Sequence, residues 1–214
     1  MISVTLWIII ITTAVSLAGF SKEKIKEDLL FWPAMIKSRR QYYRFLTGGL
    51  IHGDLMHLAF NMISLLSFGE FLESGFLFSS SEYFGANGKW VYLLLYILAL
   101  VVSVIPDYIS YQDNYAYRAL GASGAVSAVI FSFIMLRPTM ELRLFFSIPI
   151  PGYIFGALFL GISVYLSRRG GDNIGHRAHF SGAIFGVLFT IIACKLLAHI
   201  DILPEFWRQV SARY

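Results

Sequence analysis

Long apolar blocks alternate with shorter polar segments along most of the chain. Six blocks stand out, at about residues 2–20, 55–71, 90–105, 122–136, 148–166 and 180–198. Apolar stretches of about 17–25 residues cross a bilayer as helices, because a helix satisfies its own backbone hydrogen bonds in lipid. The pattern therefore predicts an all-α membrane protein with six transmembrane helices, organised as one domain over residues 1–214.

The polar segments refine this picture. Residues 21–44 mix charges with large apolar and aromatic side chains, which is typical of an amphipathic segment at the membrane interface. Pro33 argues against one uninterrupted helix there, and Pro106 and Pro138 are expected to end the third and fourth spans. The first block lacks a basic leader and a signal-peptidase site, so we expect a retained helix.

Composition supports the membrane interpretation. Hydrophobic residues make up 57% of the chain and charged residues 14%, against about 25% charged in soluble domains. The net charge of +4 is interpreted as loop charge beside a lipid bilayer. It does not indicate a nucleic-acid surface, because no basic stripe interleaves with aromatic residues. Cys194 is the only cysteine, which excludes an intramolecular disulfide and a cysteine metal cluster.

A serine between glycines begins the short fourth block. Fifteen residues reach about 22 Å, whereas the hydrocarbon layer is about 30 Å thick. With Arg137 at one interface, Ser123 in Gly-Ala-Ser-Gly lies inside the membrane. The free N–H groups of a helix start stabilise an oxyanion, so the motif is a candidate nucleophile site. Close packing of small residues is the alternative interpretation.

Further polar residues begin the second and sixth blocks. His57 and Asn61 share a helix face, and Gly53-Asp54 is expected to place His52 in an entry turn. Such residues are costly in lipid and suggest a function, with interhelical hydrogen bonding as the alternative. His179 lies beside a small-residue stripe that would bring it to Ser123, and serine with histidine forms an activated nucleophile. A dyad is the simpler hypothesis, although Asp172 is a candidate third member.

Together these motifs resemble the rhomboid intramembrane serine proteases. The matching patterns are H-x4-H-x3-N at 52–61, G-x-S-G at 121–124 and A-H-x2-G-x3-G at 178–186. The resemblance implies a six-helix rhomboid bundle without cofactor or metal. It implies Ser123 as nucleophile, His179 as base, and an oxyanion hole of the Ser123 N–H, His52 and Asn61. Supporting positions would be His57, Gly121, Gly124, Gly182 and Gly186.

The predicted function is therefore a serine endopeptidase that cleaves the transmembrane segments of single-span proteins, in the bacterial cytoplasmic membrane. Relatives often carry an aromatic residue where this chain has Ser127, so His179 is expected to be positioned by other groups. One alternative is a non-catalytic rhomboid-like protein that binds transmembrane helices. Another is a transporter or metal-handling protein that uses the histidines 52, 57, 176 and 179, and a chelator would distinguish it from a dyad protease.

Overall fold

The computed structural model describes residues 2–73, 83–144, 148–169 and 175–212. This part of the chain is mostly helical. Its helices are α1 Val4–Ser21, α2 Glu23–Leu29, α3 Pro33–Arg39, α4 Arg44–Thr47, α5 Leu55–Glu73, α6 Gly88–Val102, α7 Ile105–Tyr111, α8 Ser123–Leu136, α9 Gly152–Arg169, α10 His176–Leu197 and α11 Ile202–Ser211. Two short antiparallel strands, β1 Glu141–Leu144 and β2 Ile148–Pro151, pair between α8 and α9.

Several helices have the length and composition of membrane spans. Four helical segments qualify within the described ranges, namely Val4–Ser21, Leu55–Glu73, Gly85–Tyr111 and His176–Leu197. Their outer faces expose large apolar side chains such as Trp7, Phe60 and Leu188, as a lipid-facing surface requires. The chain is therefore an integral, multi-pass membrane protein. The shorter apolar helices Ser123–Leu136 and Gly152–Leu166 occupy the other two predicted spans, so a total of six crossings stays a prediction.

Three boundaries differ from the prediction. The helix of the third predicted span, α6, stops at Val102. Pro106 opens the following helix α7 instead of ending α6, because proline is tolerated in a first helical turn. Residues 148–151 form β2 and not the start of the fifth predicted span, whose helix is α9. Two prolines in four residues disfavour helix there. Helix α10 begins at His176, ahead of the predicted residue 180, and this places His179 in its first turn.

Helix α8 is the centre of the bundle. Every residue from Gly124 to Leu136 is buried, and α5, α6, α9, α10 and α11 all contact this helix. A helix that is apolar on all faces is suited to complete enclosure by other helices. Ser123, at the start of α8, is therefore held by most of the molecule.

Helices α8 and α10 are in backbone contact. A Cβ atom at Gly182 would meet the carbonyl oxygen of Gly124, and a Cβ atom at Gly186 would meet that of Ala128. Only glycine leaves room for this approach, as in other small-residue helix pairs. The contact places the first turns of α8 and α10 side by side.

The first loop packs against the segment that leads into α8. It folds as three short helices, α2 to α4, and the buried Arg44 donates hydrogen bonds to the carbonyl oxygens of Glu27 and Leu30. Phe31 and Ala119 exchange two backbone hydrogen bonds, of 2.9 and 3.0 Å. These contacts fix the approach of the chain to Ser123, while the position of the loop at the lipid interface stays a prediction.

Candidate active site

Ser123 and His179 meet at the adjoining ends of α8 and α10. The Nε2 atom of His179 lies 2.6 Å from the Oγ atom of Ser123, a hydrogen-bond distance at which the hydroxyl donates to a neutral imidazole. Gly121 has a φ of 111°, which strongly favours glycine, and so lets the chain turn sharply just before Ser123. A serine whose proton is held by a histidine is an activated nucleophile.

The pair lines a cavity of about 1130 Å³ between the helices. His57 and Asn61 of α5 form part of its wall, and Phe159 of α9 forms another part. Cavities of this size are typical of ligand sites in proteins. Ser123 therefore lies at the wall of a space large enough for a ligand.

His57 and Asn61 are two side-chain donors on the α5 side of this cavity. The ring of His57 packs directly on Gly121, where an added Cβ atom would lie 2.6 Å from Cε1 and 2.8 Å from Nε2. Asn61 lies one helical turn later, and its Nδ2 atom donates to the backbone oxygen of His57 at 2.9 Å. Gly121 thus lets an imidazole approach the backbone next to the nucleophile.

His52 does not face the cavity. Its side chain is fully buried, with Nδ1 3.0 Å from the Ser16 hydroxyl and Nε2 3.4 Å from the Ala122 backbone nitrogen. Because the amide only donates, Nε2 accepts and Nδ1 donates to Ser16, which in turn donates to the carbonyl oxygen of Leu50 at 2.8 Å. The entry turn directs His52 towards α1, so the structure brings His57 and Asn61, and not His52, to the cavity, while a part of His52 in an oxyanion hole stays a prediction.

Two neighbours of His179 were missed in the sequence. The ring of Phe159 lies 6.0 Å from that of His179, tilted by 31°. Ser127 does not supply this contact, and its hydroxyl donates to the carbonyl oxygen of Ser123 at 2.8 Å. Phe159 sits in an apolar helix, where nothing in its spacing marks it. The second neighbour is an ion pair between Arg177 and Asp107 of α7. Asp107 follows the third apolar block and Arg177 precedes the sixth, so opposite charges beside two predicted spans were the available signal for this pair.

The histidines are not arranged as a metal site. Over the ranges that the structure covers, no group of three or more His, Cys, Asp or Glu side chains is placed to hold a metal ion. The ring centroids of His176 and His179 are 6.0 Å apart, and those of His52 and His57 are 5.0 Å apart. Asp172, the candidate third member of a triad, lies outside the described residues.

Comparison with known proteins shows which family the chain belongs to. A rhomboid domain model matches residues 39–196, a range that contains Ser123, His179, His57 and Asn61. The chain belongs to the rhomboid family. The rhomboid protease GlpG of Haemophilus influenzae is 29% identical over 170 residues, which cover 78% of each chain.

Two mitochondrial relatives match over a smaller share of their own length. RHOMBOID-like protein 12 of Arabidopsis thaliana is 31% identical over 145 residues, which cover 66% of this chain and 43% of the relative. The human presenilin-associated rhomboid-like protein is 26% identical over 166 residues, which cover 74% and 40%. This chain spans less than half the length of either relative, so the similarity concerns the rhomboid domain.

Proposed function

We propose that this rhomboid protein is an intramembrane serine endopeptidase that cleaves transmembrane segments of single-span proteins through a Ser123–His179 dyad. The observation that carries the proposal is the 2.6 Å contact between the Ser123 hydroxyl and the His179 imidazole at a cavity inside an apolar helical bundle. Sequence similarity to a relative named as a protease, over most of both chains, supports it.

The chemistry follows the general course of acyl transfer by serine. The Oγ atom of Ser123 attacks the scissile carbonyl carbon, and Nε2 of His179 accepts the hydroxyl proton. The tetrahedral intermediate collapses as His179 returns that proton to the leaving amine. Water then attacks the acyl-enzyme with His179 again acting as the base, which releases the second fragment and restores the serine.

The negative charge on the tetrahedral oxygen needs hydrogen-bond donors. We assign this role to the backbone N–H of Ser123, the ring of His57 and the amide of Asn61. The N–H belongs to a first helical turn, where an intrahelical acceptor is lacking, and the two side chains line the same cavity. The Asn61 amide carries two N–H groups, and while one donates to the His57 carbonyl oxygen the other can donate to the oxyanion.

The two histidines of α5 and its entry turn should respond differently to substitution. We expect His57→Ala to lower kcat about 10²–10³-fold, as loss of an oxyanion donor does, with little change in thermal stability. His52→Ala should instead destabilise the fold by about 2–4 kcal/mol, because it leaves a cavity and removes the acceptor of the Ala122 backbone N–H. Cleavage rates and thermal unfolding in detergent measure both effects. A stable His52→Ala protein with a large loss of kcat would indicate that His52 contributes to the oxyanion hole.

The function is tested by reconstituting the chain in liposomes with a labelled single-span protein. We expect two fragments whose new termini, located by mass spectrometry, lie within the transmembrane segment. A fluorophosphonate should label Ser123 and block cleavage, and a chelator should have no effect because the dyad uses no metal. A folded chain that binds several such helices, yet neither cuts them nor reacts with the phosphonate, would support the non-catalytic alternative instead.

The bacterial cytoplasmic membrane remains the expected location. The supporting observation is the similarity to a protein of Haemophilus influenzae over 78% of each chain. Fractionation of the source cells, with the protein found in an organelle membrane, would contradict this expectation.

A further inference from the structure

A buried carboxylate and a guanidinium connect α7 to the first turn of α10. The Nε atom of Arg177 lies 3.4 Å from Oδ1 of Asp107, whose side chain is only 4% exposed. The Nη2 atom of Arg177 donates to the carbonyl oxygen of Pro106 at 3.1 Å and to the hydroxyl of Ser110 at 2.8 Å. One side chain of α10 is thus attached to three positions on α7.

Two tyrosines complete this cluster. The hydroxyl of Tyr117 hydrogen-bonds to the Asp107 carboxylate, and burial raises the pKa of that hydroxyl, so it stays protonated as the donor. The Tyr117 ring stacks on Tyr111 at 3.9 Å, and the guanidinium of Arg177 lies 5.7 Å from the Tyr111 ring centroid. The Asp107 carboxylate therefore has a charged partner, Arg177, and a neutral partner, Tyr117.

The placement of Arg177 is unfavourable for the helix that carries it. It is the second residue of α10, where the positive end of the helix dipole disfavours a cation. Asp107 offsets this effect, but it is itself a carboxylate removed from water within an apolar segment, which needs a partner. Asp107 lies in the first turn of α7, where a helix favours a carboxylate, so the unfavourable placement is that of Arg177 and suggests a role other than the stability of α10.

That role follows from the three consecutive residues at this turn. Arg177 is bound to α7, the carbonyl oxygen of Ala178 faces Gly124 of α8, and His179 reaches Ser123. Successive helical residues point about 100° apart, so contacts with α7 and α8 from two sides fix the rotation of the turn about its axis. Rotation is the movement that would shift the imidazole away from the serine.

We propose that Arg177 and Asp107 are positioning residues, which lock the first turn of α10 onto α7 and thereby hold the imidazole of His179 against Ser123. The inference rests on the proposed protease function. It also accounts for the lack of an aromatic residue at position 127, because the base is held through its own helix together with the ring of Phe159.

A double substitution separates positioning from stability. Arg177→Met leaves the Asp107 carboxylate buried without its cation, so both kcat and the unfolding temperature should fall. Asp107→Asn combined with Arg177→Met removes the unpaired charge and keeps a side-chain oxygen that accepts from the Tyr117 hydroxyl, so stability should return. We expect the double variant to recover its unfolding temperature while kcat stays about 10-fold or more below wild type, with KM changed less than about twofold.

Further variants keep the test decisive if the first ones fold poorly. Arg177→Lys keeps the charge but carries its donors on a single nitrogen and lacks the guanidinium fork, so its kcat should lie between those of wild type and Arg177→Met. Arg208→Met, which removes a cation that pairs with Glu205 on the remote helix α11, is the matched control and should keep the wild-type kcat. The rate of Ser123 labelling by a fluorophosphonate should follow kcat through the whole series.

Each outcome has one meaning. Recovery of kcat together with the unfolding temperature in the double variant would reduce the ion pair to a structural contact and overturn the inference. Wild-type kcat and labelling in both Arg177→Met and Arg177→Lys would overturn it as well, while leaving the protease function standing. A wild-type chain that neither cleaves substrate nor reacts with the phosphonate would overturn the protease function and, with it, this inference.

Discussion

Ser123→Ala is expected to abolish cleavage, with a loss in kcat of about 10⁴–10⁶-fold. The hydroxyl oxygen that would form the covalent bond is absent in this variant, and the remaining donors of the cavity polarise the carbonyl without attacking it. The Ser123 side chain makes its contact with His179 at the cavity, so its removal should leave the fold intact. Fragment yield over time in liposomes, with thermal unfolding in parallel, measures both properties.

His179→Ala should be as inactive as Ser123→Ala, and the double variant should be no worse than either single variant, because residues that act as a unit are not additive. Ser67→Ala is the matched control. That serine lies on α5 and donates only to its own helix, at the Ile63 carbonyl oxygen, so wild-type activity is expected. Substantial cleavage by folded Ser123→Ala protein would refute the dyad outright.

Gly182→Ala is expected to lower kcat about 10²-fold and to reduce stability. A Cβ atom at this position would lie 2.8 Å from the carbonyl carbon of Gly124 and 3.2 Å from its Cα, whereas carbon atoms in contact are separated by about 3.5–4.0 Å. Backbone atoms cannot rotate away as a flexible side chain can, so α8 and α10 must separate. A displacement of about 1 Å between Ser123 and His179 is enough for a loss of this size, and overpacking costs about 1–3 kcal/mol.

Gly161→Ala supplies the control for the glycine experiment. Gly161 lies in α9, and nothing comes within 4 Å of a Cβ atom added there. Alanine is favoured over glycine in a helix by about 1 kcal/mol, so this variant should be slightly more stable and fully active. Wild-type kcat/KM in Gly182→Ala would show that the dyad does not depend on the backbone contact between α8 and α10.

The two glycine positions illustrate how the site depends on the bundle. The dyad combines residues 56 positions apart in sequence, on two helices that have no short connection to hold them together. Their distance is set by the contacts of Gly182 with Gly124 and of Gly186 with Ala128. In the proposed mechanism, helix packing thus has a direct consequence for the transfer of the serine proton.

The sequence by itself determined the membrane class and the elements that carry the site. Apolar blocks revealed the helices because lipid requires each segment to satisfy its own backbone hydrogen bonds. Spacing also identified a serine at the start of one helix, a histidine near the start of another, and the glycine stripe between them. These features are local, so the pattern of residues along the chain was sufficient to locate them.

Only the tertiary structure decided which side chains face the cavity. The sequence placed His52 in a turn, but the direction of a turn residue depends on partners far along the chain, here Ser16 and Ala122. For the same reason His57, and not His52, lines the cavity. Phe159 reaches His179 from another helix, and Asp107 reaches Arg177 across 70 residues. Such contacts arise from how helices pack against each other, and no spacing within a single helix encodes them.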